Sequence, residues 1–165
     1  MSIAGCHVLV TGGAGYIGSH AVLALAEAGA RVTVVDNLST GHRWAVAEDA
    51  QFIEGDIGDG GLIGGLFARD RPDAVMHFAG SIIVPESVEN PLKYYRNNTL
   101  NACVLLECAV AAGVPHFVFS STAAVYGMPD VSRLGEDTPT QPINPYGASK
   151  LMTERMLADV AAAHP

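Results

Sequence analysis

The sequence predicts an α/β fold: a doubly wound parallel sheet of the Rossmann type, with strand order 3-2-1-4-5. Three observations carry this expectation. Apolar runs of strand length alternate with helix-length segments along the chain. The first run, Val8-Leu9-Val10, leads directly into Thr11-Gly12-Gly13-Ala14-Gly15-Tyr16-Ile17-Gly18, a strand–glycine turn–helix pattern. The second run closes on Asp36, about 20 residues beyond that turn.

Each element has its own signal. Cys6 to Val10 is apolar in both parities, as a strand buried on both faces should be. Tyr16 to Ala28 follows as a helix, with Gly29 at its C-cap. Arg31 to Val35 is strand two, and Trp44 to Asp49 reads as a short helix. Gln51 to Ile53 is strand three. Leu62 to Arg69 is a weak helix, diluted by Gly60, Gly61, Gly64 and Gly65. Pro72 breaks the chain before strand four, Ala74 to Phe78. One long helix is expected from Pro91 to Ala112, apolar almost all round in its second half and therefore buried on more than one side. His116 to Phe119 is strand five. Met128 to Pro142 is polar and proline-rich, hence a surface loop. Asn144 caps a last helix with Pro145 at its first position.

Composition narrows the class. The 165 residues suit one domain with a sizeable core. With 49% apolar and 16% charged residues the chain is globular rather than disordered. A net charge of -8 argues against a basic nucleic-acid surface. The three cysteines, Cys6, Cys103 and Cys108, are odd in number and form no C-x-x-C, so a reducing compartment fits. The histidines are scattered and suggest no metal site. No apolar run reaches membrane-spanning length, and the first strand begins too early to leave room for a signal peptide. Cytoplasm is the expected location.

Candidate functional residues gather where parallel strands end. Gly13, Gly15 and Gly18 satisfy G-x-G-x-x-G, and Gly12 adds G-x-x-G-x-x-G. Glycine permits a sharp turn and close approach of a pyrophosphate, which the next helix start attracts through its N–H groups. The alternative is a tight turn that holds no ligand. Asp36 is placed to accept from a ribose 2′-hydroxyl and to repel a 2′-phosphate, which favours NAD over NADP. Asp56, Gly80 and Ser120 to Thr122 also fall at strand ends. For Asp56 a plain turn role stays open, and for Ser120 and Thr122 a plain strand end. His77 reads as a packed strand histidine.

Tyr146-Gly147-Ala148-Ser149-Lys150 is Y-x-x-x-K. On a helix, residues four apart share a face. An ammonium there, and the positive helix end, favour a phenolate able to act as a general base toward a sugar or alcohol hydroxyl. The alternative is a solvent-exposed pair.

These segments together resemble the extended short-chain dehydrogenase/reductase family. The likeness rests on the glycine turn through Ser19-His20, Asp36-Asn37-Leu38, Gly55-Asp56-Ile57 and His77-Phe78-Ala79-Gly80. It continues in Tyr94-Tyr95-Arg96-Asn97-Asn98, Ser120-Ser121-Thr122-Ala123-Ala124-Val125-Tyr126-Gly127 and Asn144 to Lys150. Within the family it is similar to the sugar-nucleotide 4-epimerases. The resemblance implies that Gly12, Gly15, Tyr16, Ile17 and Gly18 cradle the NAD pyrophosphate, that Asp36 with Asn37 takes the adenosine ribose, and that Asp56 and Ile57 flank the adenine. It implies that Phe78, Ala79 and Gly80 line the path to the nicotinamide, supported by Asn97 and Ser120. Tyr146 is then the base for a UDP-hexose 4-hydroxyl, Lys150 orients the ribose and tunes Tyr146, and Thr122 hydrogen-bonds the reacting hydroxyl. A transient 4-keto sugar and a homodimer follow from the same likeness.

Two departures stand out. Related epimerases often carry a lysine after His-x-Ala-Gly; here Ser81-Ile82-Ile83 follows. Family members are roughly twice as long, so the substrate-binding region is expected to be absent. Sugar-nucleotide dehydratases place Asp-Glu after the threonine, whereas Ala123-Ala124 supplies neither acid nor base. The remaining alternatives are another sugar-nucleotide epimerase or dehydratase, the latter disfavoured by Ala123-Ala124, and a non-catalytic NAD-binding module.

Overall fold

The structure, a computed structural model, describes residues 3–130 and 133–164. Residues 131 and 132 of the expected loop Met128 to Pro142, and the terminal Pro165, lie outside the described residues. The chain divides into two compact units. The first holds residues 1–79 and 104–120, and the second holds 80–103 and 121–165.

The first unit is the sheet. Strand β1 (His7–Thr11) sits at its centre, between β2 (Arg31–Asp36) and β4 (Ala74–His77). Strand β3 (Gln51–Glu54) lies outside β2 and β5 (His116–Phe119) outside β4. All four pairings are parallel and the order is 3-2-1-4-5, as the alternation of elements predicts. The register places Thr11 opposite Val35 and His77, Asp36 opposite Glu54, and His77 opposite Phe119. The carboxyl ends of the strands therefore finish at one edge, and the residues after them open there.

Alternation along the strands feeds two apolar layers. Leu9, Val35 and Val75 pack with Ile63, Leu66 and Phe67 of α2 (Gly60–Arg69) and Leu105 and Ala109 of α5 (Asn101–Ala112). Val8, Val10, Val32 and Val34 pack with Val22 of α1 (Tyr16–Glu27) on the other face. Helices on both faces explain why the strands are apolar in both parities. Burying one such valine or leucine side chain contributes about 1.5–3 kcal/mol.

Three local expectations change. Helix α2 begins at Gly60, not Leu62, because Asp59 caps it by accepting from Leu62 N at 3.0 Å. The segment Trp44 to Asp49 is not a helix; a single 3₁₀ turn covers Arg43–Ala45. The expected helix Pro91 to Ala112 is three pieces: α4 (Pro91–Tyr94), a π-helical stretch Tyr95–Leu100, and α5. A further helix, α3 (Val84–Glu89), precedes it and ends at Asn90. The second unit is built from α3, α4, the π-helical stretch, a 3₁₀ turn at Ala123–Tyr126, and α6 (Pro145–Ala163). Among the described residues no helix is long and apolar enough to cross a membrane, and no group of His, Cys, Asp and Glu could hold a metal ion.

Candidate functional site

In the first unit, the glycine turn leaves β1 with Gly12 at φ +70°, a conformation glycine adopts without penalty. A Cβ on Gly12 would stand 2.5 Å from Ala79 N, so the turn lies flush against the Phe78-Ala79 backbone. A Cβ on Gly18 would run into the carbonyl oxygen of Gly12. Gly13 differs from both, since its bare Cα packs on Val34. Gly15 is the N-cap of α1 and supplies no side-chain acceptor, nor does the first turn carry an acid. The N–H groups at Tyr16, Ile17 and Gly18 thus begin a helix with no capping side chain, which is the geometry that receives an anion. Tyr16 and Ile17 expose their side chains there.

Asp36 is buried and does more than the sequence suggests. Its Oδ2 accepts from Ala14 N at 2.9 Å and its Oδ1 from Leu38 N at 2.8 Å. Each carboxylate oxygen keeps a further lone pair for a hydroxyl donor. Leu38 itself sits at φ +55°, a backbone state that costs a residue with a Cβ. Asn37 donates from Nδ2 to Asp56 Oδ2 at 2.9 Å, and Asp56 Oδ1 accepts from Gly58 N at 2.8 Å. Asp56 is therefore both a turn residue and tied to the Asp36-Asn37 segment. The Ile57 side chain is buried in the core, in one cluster with Ile63 and Leu66, rather than exposed at the loop. Ser120 N donates to His77 O at 3.1 Å. His77 is buried, with Nδ1 2.6 Å from Thr11 Oγ1, the packed histidine its pattern predicts.

Sequence reasoning named Asn37 but missed the part that Gly41, His42 and Trp44 play further along the loop. His42 N donates to Ala14 O at 2.9 Å, and Gly41 lies against Ala14. Trp44, 82% exposed, stacks on His42 at 5.5 Å, while the Arg43 guanidinium sits 4.7 Å above Phe52. Leu38, His42, Arg43 and Trp44 line a cavity of about 800 Å³. The lone tryptophan within a polar loop was the available signal.

In the second unit, α6 begins as its sequence predicts. Asn144 Oδ1 accepts from Gly147 N at 2.8 Å, and Pro145 occupies the first position. Tyr146 therefore lies in the first turn. Its ring meets Tyr94 edge-to-face, 6.3 Å between centroids and 82° between planes. Lys150 is one turn on and only 3% exposed; burial pushes its ammonium down to about 8.

The π-helical stretch aims two successive asparagines at one residue. Asn97 Nδ2 donates to Ser81 Oγ at 2.9 Å. Asn98 accepts from Ser81 N at 2.7 Å and donates to Ser81 O and Ser149 Oγ, both at 3.0 Å. A Cβ on Gly80 would come within 3.0 Å of Asn98 Oδ1 and 3.5 Å of Lys150 Nζ. Asn98 was missed because its role depends on Ser149, 51 residues away. Thr122 caps the 3₁₀ turn, its Oγ1 accepting from Ala124 N at 3.2 Å. That turn meets α6 at Gly147, where a Cβ would stand 2.5 Å from Ala124 O.

A parallel Rossmann-type sheet with an uncapped glycine turn, carried with a Tyr-x-x-x-Lys helix, defines the short-chain dehydrogenase/reductase class. The chain belongs to the NAD dependent epimerase/dehydratase family, whose profile matches residues 8–165. A UDP-glucose 4-epimerase of Azospirillum brasilense is 59% identical over 157 residues, covering 95% of this chain and 45% of that protein. The chain spans about half the length of the curated relatives it matches. Among solved structures, the UDP-Glc/GlcNAc 4-epimerase of Campylobacter jejuni superposes with a TM-score of 0.95 at 46% identity, over 98% of this chain and 50% of that one. The UDP-glucose 4-epimerase of Brucella ovis in complex with NAD gives 0.93 at 47% identity, over 96% and 49%.

Proposed function

We propose that this chain is the NAD-binding half of a nucleotide-sugar 4-epimerase interconverting UDP-glucose and UDP-galactose. The observation that carries the reading is the second unit's arrangement: Tyr146 and the buried Lys150 share one helix, and the Thr122 turn is seated against its first turn at Gly147. We read residues 1–165 as one cofactor-binding domain, with the substrate-binding domain outside it.

The residues present fit NAD. The glycine turn of Gly12, Gly15 and Gly18, with the amides at Tyr16 and Ile17, offers an uncapped helix start to a pyrophosphate. Asp36 holds the turn and keeps lone pairs for the ribose hydroxyls. Arg43, a nearby cation of the kind that would favour a 2′-phosphate, is stacked on Phe52. The reading further assigns to the cofactor Asn37, Asp56, Ile57, Phe78, Ala79 and Ser120 among the residues of the first unit, and Gly80, Asn97 and Lys150 among those of the second. When bound, NAD supplies the chemistry of taking hydride from sugar C4 and returning it to the opposite face. Tyr146 takes the proton of the 4-hydroxyl and later returns it. Thr122 holds that hydroxyl in line, its Oγ–H able to donate while Oγ1 accepts from Ala124 N. Lys150 holds the ribose.

The same reading carries a homodimer, since α3, α4, the π-helical stretch and α6 expose Val88, Leu92, Leu100 and Met152. It also places the protein in the cytoplasm, in keeping with Cys6, Cys103 and Cys108, which form no disulfide.

The test is calorimetric titration of the chain with NAD and with NADP, repeated by fluorescence of Trp44, the single tryptophan. NAD should bind at least tenfold tighter. Equal or tighter binding of NADP contradicts the assignment.

A further inference from the structure

One contact in the second unit has no part in the roles above. The Ser121 hydroxyl donates to Glu154 Oε1. Ser121 immediately precedes Thr122. Glu154 stands four residues after Lys150 and eight after Tyr146, so the three occupy one stripe of α6. Building on the proposed function, we propose that Glu154 is a positioning residue: through Ser121 it sets the Thr122 hydroxyl relative to Tyr146 on the same helix.

The geometry gives the Thr122 segment two fastenings to α6. One is at the helix start, where the bare Cα of Gly147 lets Ala124 O approach. The other is two turns on, at Glu154. A single fastening would leave the short segment free to swing about Gly147; two fix its distance and its direction. What rides on it is specific. Both Ala124 N and Val125 N donate to Thr122, to its Oγ1 and to its carbonyl oxygen, each at 3.2 Å. Ser121, Thr122 and Glu154 also wall an open cavity of about 450 Å³ with Tyr126 and Glu136, so water is at hand to replace a lost partner. Loss of the Glu154 contact therefore lets the Thr122 hydroxyl wander without unfolding the helix. A misplacement on the scale of an ångström lowers turnover about 10²-fold when it falls on a reacting group, and less when it falls on a supporting one.

The test uses Glu154→Ala, Glu154→Gln and Ser121→Ala with two readouts. The first is amide exchange in the 165-residue chain. Ala124 and Val125 should exchange at least tenfold faster in Glu154→Ala and Ser121→Ala. Glu154→Gln, which keeps an acceptor for Ser121, should stay within about twofold, and the amides of α6 should hold their protection. The second readout is epimerisation by the chain joined to the C-terminal half of a UDP-glucose 4-epimerase. There kcat should fall about tenfold in both disrupting variants, with KM for the sugar and affinity for NAD within twofold. The double variant should be no worse than either single one, and Gln should restore turnover to within about threefold. Unchanged exchange at Ala124 and Val125, or multiplied losses in the double variant, overturns the positioning role. An inactive unsubstituted chimaera counts against the proposed function instead, and exchange alone then decides the role of Glu154.

Discussion

Tyr94 meets the Tyr146 ring edge-on, and Tyr94 is itself fully buried and anchored by three hydrogen bonds. Its hydroxyl accepts from Ile83 N at 2.9 Å and shares its one proton between Ile83 O at 2.6 Å and Glu86 Oε2 at 2.8 Å. Burial, reinforced by Glu86, pushes the Tyr94 phenol up to about 12, so it remains a neutral wall beside Tyr146. Glu86 is in turn paired with Lys93. The candidate base thus inherits its ring orientation from a residue that does not ionise.

Replacing Tyr94 separates these contributions. Tyr94→Phe keeps the edge-to-face ring and leaves Ile83 N without its acceptor, a cost of about 1–3 kcal/mol. Tyr94→Leu removes the ring pairing as well, adding about 0.5–1.5 kcal/mol. Urea unfolding of the three proteins measures both steps. Two variants of equal stability would show that the ring contact contributes nothing.

Lys150 makes stability depend on pH in a known direction. Its folded value, about 8, lies below its ordinary value of 10.5. The unfolded chain therefore binds the proton more tightly, and stability rises as pH climbs from about 8 to 10.5. Below pH 8 the buried ammonium costs on the order of 3 kcal/mol. Lys150→Met should be the more stable protein at pH 7 by up to that amount, and its advantage should shrink by pH 9.5. It should bind NAD more weakly throughout. A stability difference that does not change between pH 7 and pH 9.5 contradicts this.

Asp36→Asn tests the double duty of that carboxylate. The amide presents an NH₂ to one of the two backbone donors, Ala14 N or Leu38 N, that Asp36 now accepts. Stability should fall by about 1–3 kcal/mol. NAD affinity should drop at least tenfold with no gain for NADP, because the glycine turn loses its anchor along with the proposed ribose acceptor. A clean switch to NADP would mean that Asp36 acts on the ribose alone.

Gly18→Ala places a methyl against the Gly12 carbonyl, so the turn must open. NAD binding should be lost and stability reduced by about 1–3 kcal/mol. Thermal melts with and without NAD measure it; a variant that keeps its NAD-induced shift contradicts the flush packing of the turn.

The contrast between Asp36 and Glu154 explains how far the sequence can be read. The sheet is legible because Val8 to Val10 and Arg31 to Val35 carry both-face apolar patterns beside unambiguous breakers. The family and the Tyr146/Lys150 pair are legible because their spacing is local. The 3₁₀ turn at Arg43–Ala45 is not, since His42 N is held by Ala14 O, far off in sequence. Nor is the π-helical stretch, whose widening brings Asn97 and Asn98 onto Ser81 and so belongs to tertiary structure. Propensity alone makes helix α2 weak, but its Asp59 cap and the burial of Ile63, Leu66 and Phe67 outweigh the glycines. Asn98 and Glu154 look like ordinary polar helix residues until Ser149 and Ser121 are seen beside them.

The most direct measurement is a coupled UDP-galactose-to-UDP-glucose assay on the 165-residue chain, on the chimaera with a relative's C-terminal half, and on its Tyr146→Phe variant, with bound NAD quantified in each. All three should bind NAD. The short chain should turn over poorly or not at all, because orientation of the sugar supplies roughly 7–11 kcal/mol of the barrier and the residues proposed here meet the sugar only at its 4-hydroxyl. The chimaera should be active, and Tyr146→Phe should lose at least 10²-fold in kcat while keeping its NAD. Near-native turnover by Tyr146→Phe, or a chimaera that binds no NAD, would contradict the account.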